Sequence, residues 1–168
     1  MTSASASRSI RVSSSPLDAI EQMAEASGWP CERREGDELF LRLAGRWCEY
    51  HAYISWQEEY GAIQFSCLTD IAIPALRQRD ANDTLAYVNA RLWLGHFEET
   101  GDESLIAFRQ TILMRNFSGT AVEQLEEIID IAISECERYY PAFQMVMLGH
   151  KEVPDAVNAA LLDPIGEA

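Results

Sequence analysis

The sequence predicts an α+β domain, an antiparallel sheet of five or six strands packed with helices, and three observations carry that prediction. Apolar positions recur at helical spacing near both ends of the chain and once in its middle, and at a period of two in between. The turns joining the first period-two stretches are too short for parallel crossovers, so these strands form a meander. The order helix, strands, helix, two strands, long helix also departs from the βαβα alternation of dinucleotide-binding domains.

Each element has a local reason. Ser15-Pro16-Leu17-Asp18 supplies an N-cap, a proline preset for the first helical turn and an early acid. Leu17, Ile20 and Ala24 then share a face, and Gly28 closes the helix. From Trp29 the period is two: Leu39, Leu41 and Leu43 alternate with Phe40 and Arg42. Ala44-Gly45-Arg46 turns the chain into a strand over residues 47–56, and a second turn over 58–61 leads into Ile63, Phe65 and Cys67. After Pro74, the positions Ala81, Leu85, Val88 and Leu92 follow a helical stripe, with Gly95 placed as its C-terminal cap. Residues 96–98 and 105–114 read as strands around Gly101-Asp102-Glu103. Thr120 and Glu123 make a capping-box pattern for a helix over 120–139, striped by Val122, Leu125, Ile129, Ala132, Ile133 and Cys136. Pro141 is expected to kink or restart this helix before an apolar segment over 143–148, and residues 154–162 form a short last helix.

Length and charge set the class. A chain of 168 residues fits one domain and buries about 70% of the surface its unfolded form exposes. The ordered domain is expected over residues 16–166, after a Ser-rich tail over 1–15 with seven Ser, two Arg and no acid, too poor in apolar surface to order. That start superficially matches an organellar transit peptide but lacks the apolar run of a secretory signal, so the expected location is cytoplasmic. No apolar run approaches the roughly 20 residues of a membrane span, which argues against a membrane protein. Thirteen basic against 27 acidic residues give a net charge of −14, a field that repels phosphate backbones and disfavours nucleic acid as a partner.

The usual constellations of catalysis are missing. Cys31, Cys48, Cys67 and Cys136 contain no C-x-x-C pair and read as buried reduced thiols. Cys48 and His51, three apart on a strand, point to opposite faces, and His96 and His150 lack partners at ligand spacing, so no metal is implied. Ser118 lacks the first glycine of a nucleophile elbow and reads as a helix-opening residue; Cys67 reads as a core thiol. The acidic clusters at Glu58-Glu59, around Glu98 to Glu103 and along Glu123, Glu126, Glu127 and Asp130 read as solvated faces. No Gly-rich loop between a strand and a helix is available for a nucleotide, and no cofactor is implied. The expectation is a non-enzymatic protein-binding or regulatory module. The alternative, a small enzyme or ligand-binding protein, would show a deep pocket holding Glu135 or His51 beside Cys136 or Cys67.

Strand parity points to an interface. With the leucines marking the core side, Tyr50, Ile54 and Trp56 join them, and Trp47, Glu49, His51 and Tyr53 take the other face. Neighbouring strands add Phe40, Arg42, Gln64, Arg109 and Thr111. Aromatics mixed with arginines characterise interface hot spots, so Phe40, Arg42, Trp47, His51, Tyr53 and Arg109 are the candidate protein-interaction residues.

Five stretches carry a family resemblance: Ala44-Gly45-Arg46-Trp47-Cys48, Gln64-Phe65-Ser66-Cys67, residues 88–97 (VNARLWLGHF), residues 135–144 (ECERYYPAFQ) and Ala159-Ala160-Leu161-Leu162-Asp163. In these the sequence resembles the YbjN family of bacterial sensory transduction regulators, in its alphaproteobacterial form, over about residues 16–166. The resemblance implies a fold similar to type III secretion chaperones, an α+β sandwich often found as a homodimer that binds other proteins. It implies a protein partner or client and supplies no catalytic residues.

Overall fold

In the computed structural model, residues 15–101, 103–114 and 121–162 are described, and the side chains of Ala121 and Val122 are not. The tail before Ser15, Asp102 of the predicted turn, Ser118, Thr120 of the capping box and the end of the expected domain after Leu162 therefore lie outside the described residues.

The first helix, α1 (Pro16–Ser27), begins where its caps predict: the Ser15 hydroxyl accepts the Leu17 N–H at 3.3 Å, and Gly28, at φ 70°, adopts the left-handed conformation that ends it. Leu17, Ile20 and Ala24 are buried. Six strands follow in two groups, β1 (Cys31–Arg34), β2 (Glu38–Ala44), β3 (Glu49–Gln57) and β4 (Ala62–Ala72), then β5 (His96–Glu99) and β6 (Leu105–Leu113). They form one sheet in the order β1-β2-β3-β4-β6-β5, with every neighbouring pair antiparallel. The helices α2 (Gln78–Asn89), α3 (Ala121–Met147) and α4 (Val153–Leu162) complete the fold.

One face of the sheet carries Leu39, Leu41, Leu43, Tyr50, Ile54, Ile63, Phe65, Cys67 and Phe108, which join Ile129, Cys136 and Phe143 of α3 in a single core. A bulge in β4 between Leu68 and Ala72 is filled by Thr69, whose hydroxyl donates to the Ile106 carbonyl at 2.8 Å and accepts the Ile71 N–H at 3.2 Å. At the far edge, Asn89 clamps β5: its Oδ1 accepts the Phe97 N–H at 2.7 Å and its Nδ2 donates to the Phe97 carbonyl at 2.9 Å.

Three expectations are corrected. Strand β3 starts at Glu49, so Trp47 lies in the β2–β3 turn and not on a strand face. Helix α2 ends at Asn89 with Ala90 as its cap, and Gly95 instead turns the chain into β5 at φ 67°. A Cβ at Gly95 would stand 2.3 Å from Phe108 Cζ and 2.9 Å from the Arg109 carbonyl oxygen, so this close approach also requires glycine. Finally, α3 runs through Pro141 without a restart.

The two errors at Trp47 and Pro141 share one cause. A proline at 141 has no N–H to give the Glu137 carbonyl four residues earlier. The Trp47 indole N–H donates to that carbonyl at 3.1 Å, and the Arg46 backbone N–H donates to Glu137 Oε1 at 2.7 Å. The Trp47 ring stacks on Tyr140 with centroids 6.0 Å apart and planes 2° from parallel. The β2–β3 turn thus supplies the donor that the helix lacks.

Candidate interaction surface

The face of the sheet opposite the core is covered by no helix among the described residues, and the register sets what it presents. Phe40 pairs with Tyr53, Tyr53 with Ser66, Ser66 with Arg109 and Arg109 with His96, a row that runs from β2 to β5. Beside it, Arg42 pairs with His51 and His51 with Leu68. Successive strands lie about 4.8 Å apart, so neighbours in a row touch.

The rings gather on the β1 side. Phe40 meets His51 edge-on at 5.4 Å and Tyr53 at 5.1 Å between centroids. The Arg34 guanidinium lies 4.7 Å from the Phe40 centroid and 5.3 Å from that of Tyr53. Arg34 was not legible as a site residue, because a strand of four residues is too short to show a period. Its one signal is position: it stands opposite Glu38 on the edge strand, two residues along from Glu32, the partner of Phe40.

Of the predicted residues, Phe40, His51 and Tyr53 form one cluster and Arg42 adjoins it. Arg109 shares the face across Ser66; its Nε contacts Glu98 Oε1 at 2.9 Å and donates to Ser66 Oγ at 3.3 Å. Trp47 is not part of this surface, being held on the helix side by Glu137 and Tyr140. The face carries Glu32, Glu38, Glu49 and Glu98 against Arg34, Arg42 and Arg109, near balance on a chain of net charge −14. Among the described residues Arg42 makes no ion pair, and Arg34 engages rings instead of carboxylates.

Two hollows mark the surface. One of about 150 Å³ is lined by Glu38, Tyr53, Ser55, Gln64, Ser66 and Arg109, below the roughly 300–1,000 Å³ of small-molecule sites. The other, about 390 Å³, lies among Pro30, Cys31, Glu32, Phe40 and Arg42 at the β1 edge. Both adjoin the ring cluster, the first through Tyr53 and the second, whose volume falls within that range, through Phe40.

The groups that would signal an enzyme are arranged otherwise. His51 and Cys67 project from opposite faces, since Cys67 pairs with Ala52 on the core side. A hydrogen bond with Cys67, together with burial, holds the Cys136 thiol well above the ordinary range, and burial pushes Cys48 up to about 11. Neutral thiols are poor nucleophiles. Burial also raises the Glu135 carboxyl, whose Oε2 has no hydrogen-bond partner among the described residues and whose Oε1 stands 3.8 Å from Arg138. Among the described residues no cluster of His, Cys, Asp or Glu could hold a metal ion, and no helix is long and apolar enough to cross a membrane.

Against known proteins, residues 16–145 match the YbjN family model, described as "Putative bacterial sensory transduction regulator". The crystal structure of YbjN from E. coli superposes with a TM-score of 0.49 at 18% identity, covering 77% of this chain and 97% of that one. No curated protein matches the chain.

Proposed function

Because this chain belongs to the YbjN family, we propose that it is a non-catalytic regulatory module that binds another protein through the helix-free face of its sheet and acts as a homodimer in the cytoplasm. The observation that carries this reading is the contact cluster of Phe40, His51, Tyr53 and Arg34 on a face with no covering layer. The half-buried Phe40 and Tyr53 rings and the exposed His51, beside Arg42, which makes no ion pair among the described residues, fit a partner segment that brings an apolar or aromatic side chain for the rings and a carboxylate for Arg42. Binding of this kind is chaperone-like: it shelters a client's apolar segment. The four free cysteines agree with a reducing compartment.

The test is a photoreactive side chain at Ser55, beside Tyr53, to trap and identify the partner in native cell extract, followed by affinity measurement with the purified pair. Tyr53→Ala with Arg42→Ala is expected to weaken binding by about 2 kcal/mol or more with the fold intact, and salt is expected to weaken the wild-type complex. Unchanged affinity in a folded double variant would place the partner elsewhere.

A further inference from the structure

A sheet that does not close has edges, and the described residues show how this one manages them. Strand β1 places Glu32, Arg33 and Arg34 along its edge, charges that discourage another strand from pairing there. Strand β5 is closed differently: the outward N–H and C=O of Phe97 are both taken by the Asn89 side chain. Neither device protects the end of β6. Strand β5 pairs with β6 only from Ile106 to Arg109, because Gly95 turns the chain away immediately before His96. Residues 110–113 of β6 thus have β4 on one side and, among the described residues, no strand on the other.

The direction of each backbone group follows from two hydrogen bonds at the ends of the strand. Met114 N–H reaches the Gly61 carbonyl on the β4 side, and Leu105 C=O accepts Thr100 N–H on the β5 side. Backbone groups alternate sides along a strand, so Thr111 and Leu113 aim their N–H and C=O outward. Among the described residues, neither makes a further hydrogen bond. The stretch Gln110-Thr111-Ile112-Leu113 carries no charge in a chain of net charge −14. Leu113 is 64% exposed, and Trp93, two residues before the Gly95 turn, is 77% exposed.

We propose that this edge pairs antiparallel with the same edge of a second copy, joining two sheets across a twofold axis at Ile112. This rests on the homodimer reading above and names its seam. Thr111 then faces Leu113 of the second copy, and each outward N–H meets an outward C=O, so the free groups of both edges are satisfied together. Strand β6 ends at Leu113, so in this register the paired stretch spans residues 111–113 of each copy. An uncharged seam is also where two molecules of the same sign can approach most closely.

The test compares wild type, Thr111→Pro, Leu113→Lys and Phe40→Ala/Tyr53→Ala by sedimentation across concentration, with amide exchange at Thr111 and Leu113. Proline at 111 removes an outward N–H without touching the β4 ladder, and is expected to weaken the dimer about thirtyfold. In wild type the Thr111 and Leu113 amides should exchange more slowly as concentration rises, and Phe40→Ala/Tyr53→Ala should remain dimeric. A wild-type dimer that both edge variants leave intact would overturn the seam while the homodimer stands. A wild type that stays monomeric at about 0.1 mM would overturn both, whereas partner binding at the open face would still be read by its own affinity measurement. Should Thr111→Pro lower the thermal midpoint sharply, the exposed Leu113→Lys and the wild-type exchange rates decide the matter alone.

Discussion

On one side of the sheet, Leu41, Tyr50, Phe65 and Phe108 meet Ile129 and Phe143 of α3, and each large side chain finds its neighbours within its own chain. On the other side, Phe40, His51 and Tyr53 contact one another, with Arg34 over the Phe40 and Tyr53 rings and Glu49 Oε1 3.4 Å from His51 Nε2. The two faces are made by the same strands at alternate positions, so one pattern of residues specifies both. What separates them is the source of the missing contacts. The helix side completes itself on folding, and its defects are paid in stability. The open side has no such layer among the described residues, and under the proposed function its defects would be read in association.

Three substitutions probe that division in descending order of effect. Ile129→Asp places a carboxylate at a site 1% exposed within the apolar core, a cost of several kcal/mol against a total stability of about 5–15. Denaturant melts are expected to find it unfolded or nearly so, and an unchanged midpoint would break the claim that α3 completes the core face. Trp47→Phe tests a residue that parity alone assigns to the wrong side. Phenylalanine keeps the stack on Tyr140 but leaves the Glu137 carbonyl to water, so a loss of about 1 kcal/mol is expected. Combining it with Pro141→Ala, which restores a helical N–H, should bring that loss close to zero. An equal loss in both backgrounds would mean that the indole bond does not compensate the proline.

The smallest effect concerns Glu135, a carboxyl on the helix side that burial raises above its ordinary value. A raised carboxyl favours the protonated form in the folded state, so its penalty is absent below the unfolded pKa of about 4.3 and grows as pH rises through the folded value. Glu135→Gln is therefore expected to leave stability unchanged near pH 3 and to raise it by less than about 1 kcal/mol at pH 7, read by thermal melts at the two pH values. A variant less stable at pH 7 than wild type would show that the Arg138 contact outweighs burial.

These residues also show what the sequence could reveal. The caps at Ser15 and Gly28 and the parity of Leu39, Ile54, Phe65 and Phe108 are local properties, visible in any short window. They place α1, the sheet and the Phe40, His51 and Tyr53 cluster correctly. Trp47 was misplaced because parity was carried through a turn, where the alternation of a strand no longer holds. The continuity of α3 was hidden because its substitute donor lies 90 residues from Glu137. Gly95 misled for a related reason: Leu92 keeps the helical spacing after the helix has ended, being packed against the core from a turn. Arg34 and the open end of β6 depend on which strands lie at the edges, a property of topology that periodicity does not encode.

The pairing of Trp47 with Pro141 has a consequence for how this chain can change over generations. With proline in place, replacing the tryptophan leaves the Glu137 carbonyl to water; with alanine at 141, a replacement that keeps the stack on Tyr140 loses little. The order of substitution therefore matters: the route that changes Pro141 first is nearly level, and the route that changes Trp47 first descends before it recovers. Selection for stability would admit the first and resist the second, so the turn residue is held in place by a position far away in the chain.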